Sequence, residues 1–380
     1  MKKRSQEVVV RGTPASPGHI LGHSWLNAAG LCVLLVGIVG LVCCGCARSG
    51  RQPIATSKTQ SPAQAQQTTN GAVAGLTPKF IDAGGIRTRY YEMGQGEPLV
   101  LIHGGGANSP NSANIWSKNI RPLAEHFRVI APDRLGNGMT GGTFVESLNF
   151  QDQANWLYNF LTAMHLSQVN LVGHSAGGAV VSWFAVDHPE MIKTLVVMDA
   201  GGPEPPGAHP GPNHLDVEMR SCPTQPLFAA QKCRFELLSY DPQRAFDVQW
   251  WAAQQYLKNW RDEHFKIPNT SPLTANMGSV TPQSSAQRQS VFNKLRNDVL
   301  GNRPVLLVYG KQDPFDWSGN APNANLRGPN SMFDVVGAKD PNVQLLIIND
   351  AGHFVMRDEA GEFDSDLTNF LDYWNHQPAD

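Results

Sequence analysis

One serine in the middle of the chain stands where it could act as a nucleophile. Ser175 lies within Gly173-His-Ser-Ala-Gly177, between a short apolar run and a helix-like segment. A serine on a sharp strand-to-helix turn is strained and exposed, and glycines on both sides let neighbouring backbones pass closely. The amino end of the following helix favours negative charge that develops nearby. We therefore interpret Gly173 and Gly177 as the flanks of a nucleophile elbow that carries Ser175.

A serine hydroxyl needs an imidazole to remove its proton, and the imidazole needs a carboxylate to fix its tautomer. His353 and Asp313 each stand just past a predicted strand, and they follow Ser175 along the chain in the order acid, then histidine. That order is one of the known orders of a hydrolytic triad. Asp199 also follows a predicted strand and is an alternative source of the carboxylate.

The loop His103-Gly-Gly-Gly106 follows another apolar run, which ends at Ile102. Backbone N–H groups in such a loop can point at an oxyanion, because glycine has no side chain in the way. We predict that Gly105 supplies one donor of an oxyanion hole and that Ala176, directly after the serine, supplies the other. A phosphate-binding loop is the rival interpretation, but it would end in Lys followed by Ser or Thr, and that ending is absent.

Short apolar runs alternating with helical patterns must position these residues. The runs begin at Leu99, Phe127, Val169, Thr194, Pro304 and Val343. Continuous apolar runs are typical of strands buried on both faces. A hairpin turning at Gly84-Gly85 precedes them. The alternation predicts an α/β fold with a mostly parallel, doubly wound sheet, in which the chemistry lies beyond the carboxyl ends of the strands.

These motifs resemble the α/β-hydrolase superfamily over residues 79–200 and 300–375. The segment 116–133 is similar to the branch that contains the meta-cleavage-product hydrolases and related esterases. The resemblance implies an α/β-hydrolase fold, and it implies a triad and an oxyanion site at the residues already named. The chain departs from that branch at Phe354, where the carbon–carbon hydrolases usually have Trp, and in the 40 positions that separate Asp313 from His353.

Residues 201–300 form a predicted insertion after the sixth strand, between core segments 79–200 and 301–380. A stretch rich in Gly and Pro at 201–212 ends the regular structure, and the residues beyond it look helical. An insertion at this place usually forms a cap over the site. Its aromatic side chains either line an apolar pocket or pack the cap onto itself; they are Phe246, Trp250, Trp251, Tyr256 and Trp260.

The first 78 residues differ from the rest of the chain. Residues 28–47 are uncharged and mostly apolar behind a basic start, which indicates an export signal or a membrane anchor within residues 1–48. Cys44 and Cys46 are candidate lipidation sites, and an uncleaved anchor is the alternative. Residues 49–78 are rich in Gln, Ser, Thr, Ala and Pro, which predicts a disordered tether. We therefore expect an exported, membrane-attached protein.

Cys222 and Cys233 are the only cysteines beyond the predicted leader. Export would place them in an oxidising compartment, so we predict a disulfide between them. Closing a short loop in this way adds roughly 3 kcal/mol of stability.

Charge and motif content exclude several classes of function. Seven cations and one anion give residues 1–78 a charge of +6, so the net charge of −2 leaves −8 on the remainder. An acidic body argues against nucleic-acid binding. The sequence has no metal-ligand spacing and no dinucleotide fingerprint, and we predict neither a metal nor a cofactor.

The favoured hypothesis is a serine hydrolase that cleaves carboxylic esters or lactones of small molecules through an acyl-enzyme. The alternative is hydrolysis of a carbon–carbon bond in a ring-fission diketone, although export counts against it because such substrates arise in the cytosol. A non-catalytic binding protein with the same fold is a third possibility. It would normally have lost a member of the triad, whereas all three residue types are present.

Overall fold

The computed structural model describes residues 8–11, 71–73, 75–105, 111–142, 149–200, 221–224, 226–265, 291, 293–295, 299–313 and 342–377. The apolar segment 28–47 and the candidate lipidation sites Cys44 and Cys46 lie outside these residues. Across the described ranges, no helix is both long enough and apolar enough to cross a bilayer.

Within the described ranges, nine strands form one sheet in the order β1-β9-β8-β7-β6-β4-β5-β3-β2. The strands are β1 (Val8–Arg11), β2 (Lys79–Ala83), β3 (Ile86–Met93), β4 (Pro98–Ile102), β5 (Arg128–Pro132), β6 (Val169–His174), β7 (Ile192–Met198), β8 (Val305–Gly310) and β9 (Val343–Ile348). The predicted hairpin forms the antiparallel pair β2 and β3, and β3 pairs antiparallel with β5. Pairing is parallel from β5 through β4, β6, β7 and β8 to β9. The predicted α/β-hydrolase fold class, with its mostly parallel doubly wound sheet, is confirmed.

Helices cover both faces of the sheet. They are α1 (Ile120–Leu123), α2 (Phe150–Ala163), α3 (Ala176–Asp187), α4 (Leu227–Leu238), α5 (Pro242–Ala245), α6 (Val248–His264), α7 (Val355–Asp358) and α8 (Ala360–Asn375). Alternate residues of β4 point into different cores: Val100 and Ile102 join the core under α2 and α3, whereas Leu99 and Leu101 join the core under α8. A strand buried on both faces must be apolar at every position, which explains the continuous run in the sequence.

The described helices of the predicted cap, α4 to α6, follow β7, the sixth strand of the body. Buried polar contacts fasten α6 to the core. Trp250 Nε1 donates to the Asn114 carbonyl over 3.0 Å, and Arg261 Nη1 donates to the Thr140 carbonyl over 3.0 Å. Phe246 and Trp250 pack on each other with ring centroids 4.5 Å apart, which favours packing within the cap over pocket lining for these two rings.

Cys222 and Cys233 are joined by a disulfide, with their Cα atoms 5.7 Å apart. The bond ties α4 to the short segment that precedes it.

The folded body begins earlier than the predicted boundary at residue 79. The Gly71 carbonyl accepts hydrogen bonds from buried Arg89 over 3.1 Å and from buried Asn114 over 2.8 Å, and Leu76 is buried. The end of the predicted tether therefore satisfies polar groups of the core, a contact that composition alone does not reveal. Strand β1 lies within the predicted leader and pairs in parallel with β9, which the sequence analysis did not foresee.

A buried carboxyl on α8 makes the stability of this fold depend on pH. Burial raises the pKa of Asp364 to about 7, while a hydrogen bond from Asn119 opposes the shift. The unfolded chain would ionise the same group near pH 4, so it binds fewer protons than the folded chain between about pH 4 and pH 7. The contribution of Asp364 to stability is therefore complete below about pH 4 and is lost as the pH rises to 7.

We expect Asp364→Asn to raise the melting temperature by several degrees at pH 8 and to leave it nearly unchanged at pH 4. The upper bound on the gain at pH 8 is about 4 kcal/mol. Thermal unfolding at both pH values measures the effect, and Asp372→Asn on the same helix controls for the loss of a negative charge. An equal shift at both pH values would contradict the assignment.

Candidate active site

Ser175 occupies a strained turn between β6 and α3. Its backbone dihedrals are φ 52° and ψ −122°, a conformation that costs a non-glycine residue about 1–3 kcal/mol. The Ser175 N–H donates to the Met198 carbonyl of β7 over 2.8 Å, and the Ser175 carbonyl accepts from Ala179 within α3 over 3.2 Å. These bonds hold the turn in place, so the side chain is presented at the carboxyl end of the sheet.

Both elbow glycines are required by close packing. A Cβ atom on Gly177 would lie 2.5 Å from the carbonyl oxygens of Ile102 and His103. A Cβ atom on Gly173 would lie 2.4 Å from Cγ2 of Val181 and 2.5 Å from the Gly177 carbonyl oxygen. The first turn of α3 can therefore pack against the end of β4 only when Gly177 carries no side chain, and against β6 only when Gly173 carries none.

The structure places His353 beside Asp313. The distance from His353 Nδ1 to Asp313 Oδ2 is 2.7 Å, and the Asp313 side chain is fully buried. A carboxylate at this distance accepts the Nδ1 proton, so in the neutral ring Nε2 is the basic nitrogen. The backbone N–H of His353 donates to the Leu238 carbonyl at the end of α4 over 2.8 Å, so a cap helix helps to hold the imidazole loop.

Asp199 lies close by but has a different partner. Its Oδ1 accepts from the Gly310 N–H over 2.8 Å, and its backbone φ is 44°. Burial, followed by the negative charge of Asp313, raises the pKa of Asp199 well above its ordinary value. The bond from His353 Nδ1 to Asp313 favours Asp313 over Asp199 for the acid role.

His174, which the sequence analysis did not single out, links the elbow to the imidazole loop. Its Nε2 lies 2.7 Å from the His353 carbonyl oxygen, and the two rings have centroids 5.0 Å apart. Burial and the neighbouring imidazole of His353 lower the pKa of His174 well below its ordinary value, although its hydrogen bond to that carbonyl opposes the shift. The ring is thus neutral, with its proton on Nε2, and places no positive charge beside His353.

The predicted oxyanion loop lies directly against the elbow. A Cβ atom on Gly104 would be 2.8 Å from Ser175 Cβ and 2.8 Å from His174 Nδ1. The next residue, Gly105, has a φ of 82°, a conformation that favours glycine. Gly105 follows the residue that touches the serine, and Ala176 is bonded to the serine and begins α3. The structure therefore brings the two predicted donor residues to the same place.

Asp358 is a second residue that sequence reasoning missed. Its Oδ2 accepts from the N–H groups of Gly352 over 2.9 Å and Tyr240 over 3.0 Å, and its Oδ1 accepts from Asp241 over 3.2 Å. One carboxylate thus joins the loop of His353 to the segment between α4 and α5. Nothing local in the sequence marks this role, because two of its three partners, Tyr240 and Asp241, lie more than a hundred residues away.

This arrangement can perform nucleophilic acyl chemistry without a metal ligand set. Within the described ranges, no group of three or more His, Cys, Asp or Glu side chains is arranged to hold a metal ion. A nucleophile on a strained turn, a carboxylate-bound imidazole and a glycine loop against the nucleophile are the parts that acyl transfer requires.

Comparison with known proteins gives a family match over most of the chain. The family model described as an alpha/beta hydrolase fold matches residues 97–360. A serine hydrolase structure from the polyaromatic-hydrocarbon-degrading bacterium Cycloclasticus zankles superposes with a TM-score of 0.58 and 20% identity. The alignment covers 80% of this chain and all of that one. At this identity the structural likeness bears on the fold alone.

Two curated relatives share more sequence over a shorter span. One is 2-hydroxy-6-oxo-6-(2'-aminophenyl)hexa-2,4-dienoic acid hydrolase of Metapseudomonas resinovorans, 40% identical over 141 residues, which are 37% of this chain and 48% of the relative. The other is 2-hydroxy-6-oxo-2,4-heptadienoate hydrolase of Pseudomonas putida, 38% identical over 124 residues, or 33% and 45% of the two chains. The chain spans about half the length of the curated relatives it matches.

The close approach of Gly104 to Ser175 predicts the effect of one added methyl group. We expect Gly104→Ala to lower hydrolytic activity by about a hundredfold or more, because small displacements at a reacting centre cost about that much. Initial rates on any substrate that the wild type turns over measure the loss. Gly361→Ala is the matched control, since a Cβ atom there meets nothing within 4 Å. Equal activity of the two variants would contradict the proposed contact.

Proposed function

The chain belongs to the α/β-hydrolase fold family. On that premise we propose that the protein is a serine hydrolase. Its proposed substrate is a small carboxylic acid in which it cleaves the carbon–carbon bond beside a ketone. The observation that carries this proposal is the similarity of 38–40% to two relatives whose names specify a 6-oxo dienoic acid as the substrate. Hydrolysis of a compound that contains a ketone and no ester has to break a carbon–carbon bond. This was the alternative hypothesis from the sequence. The predicted export counts against it, but the names of the two relatives favour it over ester cleavage.

In the proposed first half-reaction, the Ser175 hydroxyl loses its proton to His353 Nε2 and its oxygen bonds to the ketone carbon. The backbone N–H groups of Gly105 and Ala176 donate to the resulting oxyanion. The substrate reacts as its keto tautomer, in which the proton of the 2-hydroxyl group has moved to the carbon beside the 6-ketone. When the tetrahedral intermediate collapses, the carbon–carbon bond breaks and its electron pair is delocalised onto the 2-oxo oxygen. His353 returns the proton to the leaving fragment, and an acyl-enzyme remains on Ser175.

In the second half-reaction, His353 removes a proton from water, and the hydroxide attacks the acyl carbon. The products are the carboxylic acid formed from the acyl fragment and the shortened dienoate, and Ser175 regains its proton. The 2.7 Å contact between His353 Nδ1 and Asp313 Oδ2 supports this cycle, because the carboxylate keeps the same tautomer available in both halves and stabilises the imidazolium.

Ester hydrolysis is a second candidate, favoured by one side chain. Phe354 is buried and stacks on Phe235 with centroids 4.8 Å apart. A phenyl ring cannot donate the hydrogen bond that the indole of the usual Trp could offer at this position. Departure of an alkoxide requires only the proton from His353, so an ester needs no further donor beside the imidazole.

A substrate panel separates the two reactions. We expect the wild type to hydrolyse a 2-hydroxy-6-oxo-dienoate with a kcat/KM at least tenfold above that for short p-nitrophenyl esters, and Ser175→Ala to lose at least about a thousandfold of kcat. Absorbance follows both substrates, and a fluorophosphonate probe with peptide mapping identifies the labelled serine. Ser182→Ala is the matched control, because that hydroxyl is buried in α3 and bonds to the Gly178 carbonyl.

Preference for the p-nitrophenyl esters would favour the second candidate. Absence of probe labelling at Ser175 in folded wild-type protein would overturn both.

We also propose that the protein is exported and attached to a membrane through residues 28–47. The support is the apolar leader together with the pair Cys222 and Cys233, which form a disulfide in the structure. Protein from the cell-envelope fraction is expected to contain this bond, seen as a mass increase after reduction and alkylation. The free energy of unfolding of the double variant Cys222→Ser, Cys233→Ser should be lower than that of the wild type by about 3 kcal/mol. Two free thiols, or recovery in the cytosolic fraction alone, would contradict the proposal.

A further inference from the structure

A buried arginine lies behind the predicted oxyanion loop. Arg134 follows Asp133 just beyond β5, and only 1% of its surface is exposed. Its Nη2 donates to the Gly104 carbonyl over 3.3 Å, and the same nitrogen donates to the Gly105 carbonyl. The guanidinium therefore contacts both described glycines of the loop at their carbonyl oxygens.

The backbone of the same residue sets the protonation of His103. The Arg134 N–H donates to His103 Nε2 over 2.9 Å, so that nitrogen carries no proton. The proton consequently lies on Nδ1, which donates to the Gly104 carbonyl over 2.8 Å. Burial, followed by the charge of Arg134, lowers the pKa of His103 well below its ordinary value, in agreement with a neutral ring.

Two of these contacts, from Arg134 Nη2 and from His103 Nδ1, meet at the carbonyl of one peptide group. The carbonyl of Gly104 and the N–H of Gly105 belong to the same amide, and that N–H is the predicted oxyanion donor. Donors on the carbonyl oxygen polarise an amide and strengthen the hydrogen bond that its N–H makes on the other side. A positive charge behind the amide also lowers the energy of a negative charge in front of it.

The charge of Arg134 is not neutralised by any carboxylate among the described residues. Arg89, which is also buried, pairs with Asp133 at 3.0 Å, whereas among the described residues no carboxylate forms an ion pair with Arg134. Burial lowers the pKa of Arg134 to about 9, so the side chain remains charged at neutral pH. Among the described residues, the guanidinium meets backbone carbonyls alone; a buried cation in such surroundings is costly for folding, and an apolar side chain would avoid that cost.

We propose that Arg134 is a positioning residue that holds the oxyanion loop from behind and polarises the Gly104–Gly105 peptide toward the oxyanion. This inference rests on the proposed role of Ser175 as the nucleophile. It does not depend on whether the bond that breaks is carbon–carbon or ester, because both reactions pass through an oxyanion at the same place.

The test compares three variants of the full chain. Arg134→Met removes the charge and the donors, Arg134→Lys keeps the charge, and Arg303→Met is the matched control. Arg303 also donates to two backbone carbonyls, those of Ile192 over 3.0 Å and Leu300 over 2.9 Å, but it lies at the amino ends of the strands. The readouts are kcat and KM, the rate of fluorophosphonate labelling at Ser175, and the Kd of a boronic acid that forms a tetrahedral adduct with the serine.

We expect Arg134→Met to lower kcat and the labelling rate by about a hundredfold and to weaken boronate binding by a similar factor, with KM changed less than about threefold. Arg134→Lys should recover part of the loss, and Arg303→Met should leave all four quantities near those of the wild type. A purely structural role would affect stability and KM together and would not single out the tetrahedral adduct.

Folded Arg134→Met with wild-type kcat and boronate affinity would overturn the inference while leaving the nucleophile in place. Absence of labelling at Ser175 in the wild type would instead overturn the nucleophile, and this inference with it. If Arg134→Met does not fold, Arg134→Gln replaces it, since glutamine keeps a donor without the charge. Its expected loss in kcat is about tenfold, and an unchanged kcat would contradict the role of the charge.

Discussion

The strained backbone at Ser175 is the constraint on which the rest of the site depends. A φ of 52° is tolerated because β7 and α3 form hydrogen bonds with the Ser175 backbone on both sides. Gly177 also lets the turn pack closely against the end of β4, and Gly173 lets α3 pack closely against β6. The same close packing brings Gly104 against the serine, so the oxyanion loop and the nucleophile are positioned by one steric arrangement. Strain at a functional residue persists only where the surroundings over-determine it, and here both neighbouring strands and the helix do so.

Around that turn, burial keeps several titratable groups neutral. His103 and His174 have lowered pKa values, and Asp199 has a raised one, and burial is the largest cause in each case. Each group can then donate or accept one directed hydrogen bond without adding charge to the site. Asp313 contacts the imidazole at one end of the proposed site, and Arg134 lies behind the predicted oxyanion loop at the other. Charge separation in the proposed reaction runs between those two ends, in a region where water screens little.

Sequence reasoning predicted the parts of the candidate site that depend on local pattern. The elbow, the glycine loop and the histidine each follow an apolar run, and parallel strands bring such positions to one edge of the sheet. The choice between Asp313 and Asp199 stayed open because both satisfy that rule, and only the contact with His353 Nδ1 distinguishes them. Arg134, His174 and Asp358 were missed for a physical reason: their partners are backbone carbonyls and N–H groups, which any sequence provides. The packing of Gly71 against Arg89 was missed for the same reason.

Hydrogen bonds couple the cap to the loop that carries the proposed catalytic imidazole. The Leu238 carbonyl at the end of α4 accepts from the His353 N–H, and Asp358 bonds to the backbone on both sides of the junction. A Cβ atom on Gly352 would lie 2.4 Å from that same carbonyl, so the approach of the cap is built into the histidine loop itself. Since Ser175 and the oxyanion loop are fixed by the sheet, any displacement of α4 alters the geometry between nucleophile and base. A substrate contact made by the cap would therefore affect the position of the imidazole, and with it proton transfer, as well as binding.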